Sequence, residues 1–256
     1  MTRLLALTLT ALVTAFLIIP VFLSALAGVT ANWFLGVSGG LTTRWIGRVW
    51  ELYAHTIGLS ALIAVLCLIC TLLIGVPAAY ALARSEGRLA RLIEELLTLP
   101  LAVPGLATAL GIIMLWGPVG GFRTHWSFVL VGHVVFTLPF MLRATLAAMK
   151  GTDLVMLEEA ARACGASFRQ RFLGIVLPNV RHGIMAGGLM VTALSLGEFN
   201  TTLLLSTPFT MTLPVGLADS YASMRLEIGS AFTLLFLVLL MPPMVALQAV
   251  ADRVAR

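Results

Sequence analysis

Long apolar runs are the feature of this chain that most restricts its fold. A helix needs about 20 consecutive, predominantly apolar residues to cross a hydrocarbon layer of about 30 Å. Runs of this kind recur along the 256 residues. We therefore predict an all-α polytopic membrane protein with six transmembrane helices, at about residues 4–27, 53–82, 96–116, 126–149, 183–206 and 228–250. Charged residues make up only 11% of the chain, against roughly 25% in an average soluble domain, so they are too few to cover a soluble surface.

The first apolar run, residues 4–27, allows two interpretations. Ala25 and Ala27 form the small-residue pair typical of a signal-peptide cleavage site. The run is longer than the apolar region of about 7–15 residues that signal peptides have. We therefore expect a retained N-terminal helix, and a cleaved signal peptide is the alternative.

The basic residues predict the orientation, because cytoplasmic loops of membrane proteins are enriched in Lys and Arg. With six spans and a cytoplasmic N-terminus, twelve of the sixteen basic residues lie on the cytoplasmic side, and the outer side holds Arg44, Arg48, Arg123 and Arg225. We therefore expect both termini in the cytoplasm. The same bias accounts for the net charge of +5 without a nucleic-acid partner.

The cysteines and histidines give no pattern typical of a catalytic or metal centre. Cys67 and Cys70 lie inside an apolar run, where we interpret them as packing residues, and Cys164 stands apart. The four histidines lack the spacing of metal ligands. We expect no catalytic residue, no metal site and no cofactor in this chain.

Proline and glycine interrupt the third predicted span. Pro100, Pro104 and Gly105 lie in its first half. Proline lacks a backbone donor and disfavours helix at the preceding residue, so we predict a kinked or broken helix. Non-helical backbone in a bilayer must be covered by protein or line an aqueous cavity. The break is therefore either a packing kink or part of a pathway.

Small residues recur on one face of the fifth predicted span. Gly183 and Gly187 form a G-x-x-x-G pattern, and Ala193 and Gly197 repeat the spacing. Such a face allows two helices to approach closely.

The loop between the fourth and fifth predicted spans, residues 150–182, is long enough to hold structure of its own. Thr152 or Asp153 can cap a first helix. Glu158 and Arg162 have the spacing of an ion pair, which we expect on the outer side of this helix. Its small apolar stripe is predicted to consist of Leu154, Leu157, Ala161 and Cys164.

A glycine turn and a second helix are predicted to follow. Gly165 lies where a helix end favours a left-handed residue. Ser167 and Gln170 have the spacing of a capping box, and the second short helix is expected to end before Pro178. Such a unit at the cytoplasmic face either docks on another protein or packs on its own bundle.

One spacing pattern in this loop resembles the signature of a known family. Glu159-Ala160-Ala161, three residues, Gly165, nine residues and then Ile175-x-Leu177-Pro178 match the order E-A-A-x3-G-x9-I-x-L-P. This order is typical of the membrane permease subunits of bacterial ABC-type importers. The resemblance implies a type I importer permease in the inner membrane, with one permease domain over residues 1–256. Residues 53–250 are then the five-helix core, behind the N-terminal helix at 4–27.

The same resemblance implies the partners and the roles of the loop. The first loop helix is the coupling helix, which docks in a groove on one of two ATP-binding subunits that hold ATP and Mg. A second permease subunit, in a heterodimer, and a periplasmic binding protein complete the importer. No G-x-x-x-x-G-K-[ST] sequence is present, so ATP must be hydrolysed by another chain. The predicted ATPase-coupling residues are Glu158, Glu159, Ala160, Ala161, Gly165, Ile175, Leu177 and Pro178.

Glu198 is an acid inside the fifth predicted span. An ionisable group in the membrane costs several kcal/mol unless it faces a cavity or a partner, so it is a candidate functional residue. A structural hydrogen bond to a neighbouring helix is the equal alternative. The predicted substrate path consists of Glu198, Asn200, Thr201, Thr98 and Thr108.

The outer loop from Thr207 to Glu227 is longer than a hairpin turn requires. We expect it to pack against the outer mouth, where a substrate-delivery protein docks. Arg225 and Glu227 are expected to be solvated.

The residues around Glu198 also suggest a substrate. The run Gly197–Thr202, followed by Thr212-Leu213-Pro214, resembles permeases for polyamines, and an acid in the path suits a cationic amine. Phosphonate, ferric iron, molybdate and sulfate are the alternatives within the same family. Of other classes, an ion-coupled secondary transporter is expected to show several intramembrane acids or an inverted repeat. A membrane-embedded enzyme is expected to show a cluster of reactive groups.

Overall fold

The computed structural model describes residues 2–151, 153–223 and 226–255, and regular structure within these ranges is helical apart from an isolated bridge between Thr30 and Leu41. The α-helices are α1 (Thr2–Ala27), α2 (Arg44–Ala83), α3 (Arg88–Thr98), α4 (Gly105–Trp116), α5 (Trp126–Lys150), α6 (Leu154–Ala163), α7 (Phe168–Arg171), α8 (Leu177–Gly197), α9 (Asn200–Leu205), α10 (Leu213–Ala222) and α11 (Leu226–Ala255). Shorter 3-10 segments lie at Trp33–Gly39, Leu99–Leu101 and Phe122–Thr124, and a π-helical segment lies at Phe172–Val176. The prediction of an all-α protein is confirmed.

The predicted spans at 4–27, 53–82, 126–149 and 228–250 lie within α1, α2, α5 and α11. In the described part of the chain, α1, α2 and α5 are long and apolar enough to cross a membrane, and the bent pair of α3 and α4 adds a fourth crossing if it is one span. The count of six spans stays a prediction.

The third predicted span is broken, as its prolines predict. The bend between the α3 segment and α4 is 106°. Pro104 precedes α4 with the extended ψ of 138°. With 12 residues, α4 is about 18 Å long, which is shorter than the hydrocarbon layer. The predicted span over residues 96–116 therefore consists of two helical segments, divided at its prolines.

The fifth predicted span is also divided. The helix α8 begins at Leu177 and ends at Gly197, and α9 starts at Asn200. Glu198 has extended backbone, with a ψ of 121°, so the helix stops there. The sequence contains no proline at this point, and the hydrogen bonds that Glu198 accepts from the start of α9, described below, stabilise the break.

The chain divides into two compact units. The larger unit comprises Gly58–Pro214 and Pro243–Arg256. Its centre is the packing of α5 against α8. A Cβ atom at Gly183 would lie 2.4 Å from Cβ of Ala148, and one at Gly187 would lie 3.0 Å from Sδ of Met141. The first half of the small-residue pattern therefore packs closely, as predicted.

The second half of that pattern does not pack in the same way. A Cβ atom at Gly197 would have no neighbouring heavy atom within 4 Å, and Ala193 is exposed. Sequence spacing is the same in both halves, so only the path of α5 decides which pair is covered.

The smaller unit comprises Met1–Ile57 and Val215–Pro242. A Cβ atom at Gly28 would lie 2.5 Å from the backbone nitrogen of Ala231, so α11 passes directly over the end of α1.

Two residues of the predicted outer loop also make contacts in this smaller unit. The Tyr53 hydroxyl donates to Asp219 over 2.9 Å. Glu227 accepts the backbone N–H of Trp33 over 3.2 Å, so it is not simply a solvated charge. Arg225 lies outside the described residues.

Candidate functional site

The first helix of the loop at residues 150–182 forms as its sequence predicts. The carboxylate of Asp153 accepts the backbone N–H of Met156 over 3.4 Å, which caps α6. Thr152, the other candidate cap, lies outside the described residues. A capping side chain satisfies a backbone donor that has no partner within the helix.

Gly165 ends α6 in the conformation that its position predicts. Its φ is +81°, in the left-handed region that glycine adopts without strain. Its N–H donates to the carbonyl of Arg162 over 2.9 Å, and the N–H of Ala166 donates to the carbonyl of Ala161 over 3.0 Å. These two bonds form a Schellman motif, which fixes the direction in which the chain leaves α6.

Ser167 and Gln170 form the predicted capping box at the start of α7. The Gln170 side chain accepts the N–H of Ser167 over 2.8 Å, and the Ser167 hydroxyl accepts the N–H of Gln170 over 3.4 Å. Both ends of the turn between α6 and α7 are therefore fixed by hydrogen bonds of the loop itself.

The second loop helix does not end before Pro178, so that prediction is wrong. The chain passes from α7 through the π-helical segment into α8, with Pro178 in the first turn of α8. The N–H of Leu177 donates to the carbonyl of Phe172, five residues earlier. This wider turn accommodates Pro178, which has no backbone N–H to donate. Ile175 and Leu177 are half-buried and Pro178 is exposed. The signature residues therefore lie on a continuous helical connection between loop and membrane.

The sequence analysis predicted the wrong face of α6 for Glu158. Its side chain is only 4% exposed and forms ion pairs with Arg84 and with Arg171, the latter over 3.8 Å. The Tyr80 hydroxyl donates to Glu158 Oε1 over 3.0 Å. An outer pair with Arg162 is therefore wrong. Glu158 lies four residues after buried Leu154, so both share the inner face of α6.

The predicted apolar stripe of α6 is divided between two faces. Leu154 is buried and Ala161 half-buried, whereas Leu157 and Cys164 are exposed. The loop instead exposes a group of large apolar side chains, which we name the α6 patch. It consists of Val155, Met156, Leu157 and, from the start of α7, Phe168.

Two of the signature residues border this patch. Glu159 and Ala160 are exposed beside it. The coupling role of Glu159, Ala160 and Ala161 stays a prediction. Large apolar side chains exposed together on a short polar helix are typical of a protein interaction site.

Glu198 caps the break between α8 and α9. Its side chain is 6% exposed. One oxygen accepts the N–H of Thr201 over 2.8 Å, and the other accepts the N–H of Thr202 over 2.8 Å and the Thr202 hydroxyl over 2.7 Å. These donors belong to the first turn of α9, where backbone N–H groups lack helical partners. The carboxylate thus takes the place of the missing helical hydrogen bonds.

His133 of α5 extends this network. Its Nε2 lies 2.8 Å from the Thr202 hydroxyl, and its Nδ1 lies 2.8 Å from the Ser195 hydroxyl. Because the Thr202 hydroxyl donates to Glu198, it accepts the hydrogen bond from Nε2–H of His133. The chain Ser195–His133–Thr202–Glu198 joins α5, α8 and α9.

The structure brings together part of the predicted substrate path. The Thr201 hydroxyl lies 3.5 Å from the carbonyl of Gly105, so the start of α4 touches the start of α9. The hydroxyl of Thr98 bonds to the carbonyl of Glu95, and that of Thr108 to the carbonyl of Pro104. These hydroxyls therefore serve their own helical segments. Asn200 is exposed, and its place in a path stays a prediction.

Comparison with known protein families identifies the family of this chain. Residues 71–256 match the family described as the binding-protein-dependent transport system inner membrane component. The chain belongs to this family. The family resemblance carried by residues 159–178 is thus confirmed. This permease is a transport subunit rather than an enzyme, and a separate subunit hydrolyses ATP.

Curated relatives of the permease cover most of its length. The sulfate transport system permease protein CysW of Synechocystis sp. is 27% identical over 201 residues, which is 72% of each protein. The molybdenum transport system permease protein ModB of Mycobacterium bovis is 30% identical over 200 residues, 72% of this chain and 75% of the relative.

Solved structures show the same fold. A bacterial alginate ABC transporter, crystallised with a periplasmic protein that holds an alginate pentasaccharide, has a chain that matches with a TM-score of 0.73. The match covers 99% of this chain and 94% of that chain at 16% identity. The MetNI methionine ABC transporter matches with a TM-score of 0.63 at 18% identity, over 81% of this chain and 96% of that chain. The permease therefore has the fold of ABC importer membrane subunits.

Sequence reasoning missed the partners of Glu158 and the part that His133 takes in the network around Glu198. Nothing in their spacing joins Tyr80, Arg84 and Arg171 to Glu158, since these contacts link residues about 13–78 positions apart. His133 could have been recognised as a polar group inside an apolar span, which usually bonds to another helix. Its partners were not deducible without the packing of α5 on α8 and α9.

Proposed function

We propose that this permease imports a tetrahedral oxyanion of the sulfate or molybdate class and that its ATPase docks on the α6 patch. The observation that carries the docking is the exposure of Val155 (45%) and Met156 (59%) on α6, whose inner face is buried, and of Phe168 (57%) at the start of α7. Contact with an ATPase would remove this apolar surface from water, which favours association by about 25 cal/mol per Å² before the costs of binding.

The substrate class is supported by the relatives, which are named for sulfate and molybdenum transport. A polyamine has no such support. Its argument depended on Glu198 as a free acid in the path, whereas the Glu198 carboxylate already accepts three hydrogen bonds from α9. We therefore propose an anionic substrate, from the alternatives within the family, in place of the cationic amine.

The complete importer is proposed to contain two ATP-binding subunits, which hold ATP and Mg, and a second permease subunit in a heterodimer. A periplasmic binding protein delivers the solute. Both termini of the permease lie in the cytoplasm, as the distribution of Lys and Arg favours. Nucleotide binds one conformation of the ATPases better than the other, and α6 passes this difference to the membrane helices.

Docking is tested by modification of Cys164, which is exposed at the end of α6. The permease is produced in membranes with and without its ATPase subunit. The ATPase should slow the reaction of Cys164 with a maleimide several-fold. Cys164→Ser provides the background from the other two cysteines, and Met156→Asp should abolish the protection. Equal labelling with and without a co-purifying ATPase would contradict docking on this face.

The substrate is tested by uptake into proteoliposomes that hold the complete importer. Radiolabelled sulfate and molybdate should enter in an ATP-dependent manner, and putrescine should not. Uptake of putrescine without either oxyanion would contradict the proposed class.

A further inference from the structure

A buried ion-pair cluster joins the coupling helix to two other parts of the larger unit. Glu158 of α6 lies at its centre, between Arg84 just beyond α2 and Arg171 at the end of α7. Removing one member of a buried ion pair leaves an uncompensated charge, so such a cluster fixes the position of the elements that carry it.

Each arginine is itself held in place. The Arg84 guanidinium lies over the Tyr80 ring at 4.5 Å, in a cation–π contact. Arg171 Nη1 donates to the carbonyl of Ala166 over 2.8 Å, in the turn that follows α6. The charges around Glu158 are therefore pre-positioned by α2 on one side and by the loop on the other.

Aromatic contacts complete the connection. The Tyr80 ring meets Phe172 edge-on at 5.2 Å and Phe168 at 6.0 Å. Phe172 begins the π-helical segment that continues into α8. The same side chains therefore connect α6 both to the end of α2 and to the start of α8.

We propose that Glu158 is a positioning residue that transmits movement of the coupling helix to α2 and α8, rather than a contact to the ATPase. The proposal depends on the proposed function, in which an ATPase moves α6. It follows from burial, because a side chain on the inner face of α6 is covered by its own chain. Glu159, the next residue, is exposed on the other side.

The test measures solute transported per ATP hydrolysed, with radiolabelled sulfate or molybdate, in proteoliposomes that hold the complete importer. Glu158→Gln keeps the size of the side chain and removes its charge, and Arg84→Met removes the partner. Both variants should assemble with the ATPase and hydrolyse ATP, while the transport ratio falls roughly fivefold or more, the range of allosteric coupling. Glu94→Gln, which removes an acid from the exposed pair with Lys150, is the matched control and should keep the ratio.

The double variant Glu158→Arg/Arg84→Glu exchanges the two charges and should recover part of the transport per ATP that the single variants lose. A folding defect would not be rescued by this exchange. An unchanged ratio in Glu158→Gln and Arg84→Met overturns the proposal, since a purely structural role lowers only the amount of importer. Loss of ATPase binding in Glu158→Gln also overturns it, because Glu158 would then be a docking contact. If the parent importer neither binds the ATPase nor takes up an oxyanion, the proposed function itself fails.

Discussion

Replacement of Glu198 by glutamine tests whether the buried acid caps a helix or binds substrate. The carboxylate accepts two hydrogen bonds from Thr202 and one from Thr201, all within 2.8 Å. Glutamine can turn its carbonyl oxygen towards Thr202 and keep those two bonds. Its amide then faces the N–H of Thr201, so one hydrogen bond to a charged group is lost, at a cost of about 1.5–3 kcal/mol.

Thr202→Val is the companion change. It keeps the shape of the side chain but removes the hydroxyl between His133 and Glu198. The buried Nε2–H of His133 then has no acceptor, which costs about 1–3 kcal/mol. Thr192→Val is the matched control, because the Thr192 hydroxyl bonds to Gly188 within its own helix and joins no second helix.

The assay is the unfolding of the permease in mixed micelles with increasing SDS, followed by the fluorescence of its five tryptophans. Glu198→Gln and Thr202→Val should each unfold at a lower SDS fraction than the parent, and Thr192→Val should unfold close to it. If Glu198→Gln leaves the unfolding midpoint unchanged and instead raises the KM for transport, Glu198 is a substrate ligand and the argument for a cap is refuted.

Three further predictions concern the glycines and the loop. Gly183→Ala should destabilise the protein by about 1–3 kcal/mol, since the new Cβ would lie 2.4 Å from Cβ of Ala148, whereas Gly197→Ala should be tolerated in the same SDS titration. Gly165→Ala should cost about 1–2 kcal/mol at a φ of +81°, and Gly165→Asn less, seen as faster amide exchange in α6; equal exchange in both variants would contradict the left-handed cap. Ser167→Ala should cost about 0.5–2 kcal/mol through loss of the capping box, measured as faster exchange of the first amides of α7, and unchanged exchange would show that the box is not needed.

The local structure of the coupling loop was predictable because it depends on neighbouring residues. Asp153, Gly165 and the pair Ser167 and Gln170 each act on backbone groups within five positions, and each takes its predicted role. The continuation through Pro178 was not predictable from such rules. A proline ends a helix in isolation, but a π-helical turn accommodates it where α8 has to continue.

The orientation of side chains was harder to predict than the helices that carry them. Glu158 and Glu159 are adjacent and chemically identical, and one is buried while the other is exposed. Their helical positions differ by about 100°, so the direction of the partner helix decides which one faces inward. The position of Arg84 beside Glu158 depends on where α2 ends in space.

The sequence alone determined that this chain is a helical membrane permease with a capped helix–turn–helix in the loop at residues 150–182. Apolar run length, capping residues and the signature spacing are local properties, and local free energies suffice to specify them. Only the tertiary structure decided that Glu158 is a buried internal contact rather than a surface residue, and that His133 joins the hydrogen-bond network of Glu198. A charged group is stable in the interior only with its partners, and Arg84, the partner of Glu158, lies just beyond the end of α2 and is distant from α6 in sequence.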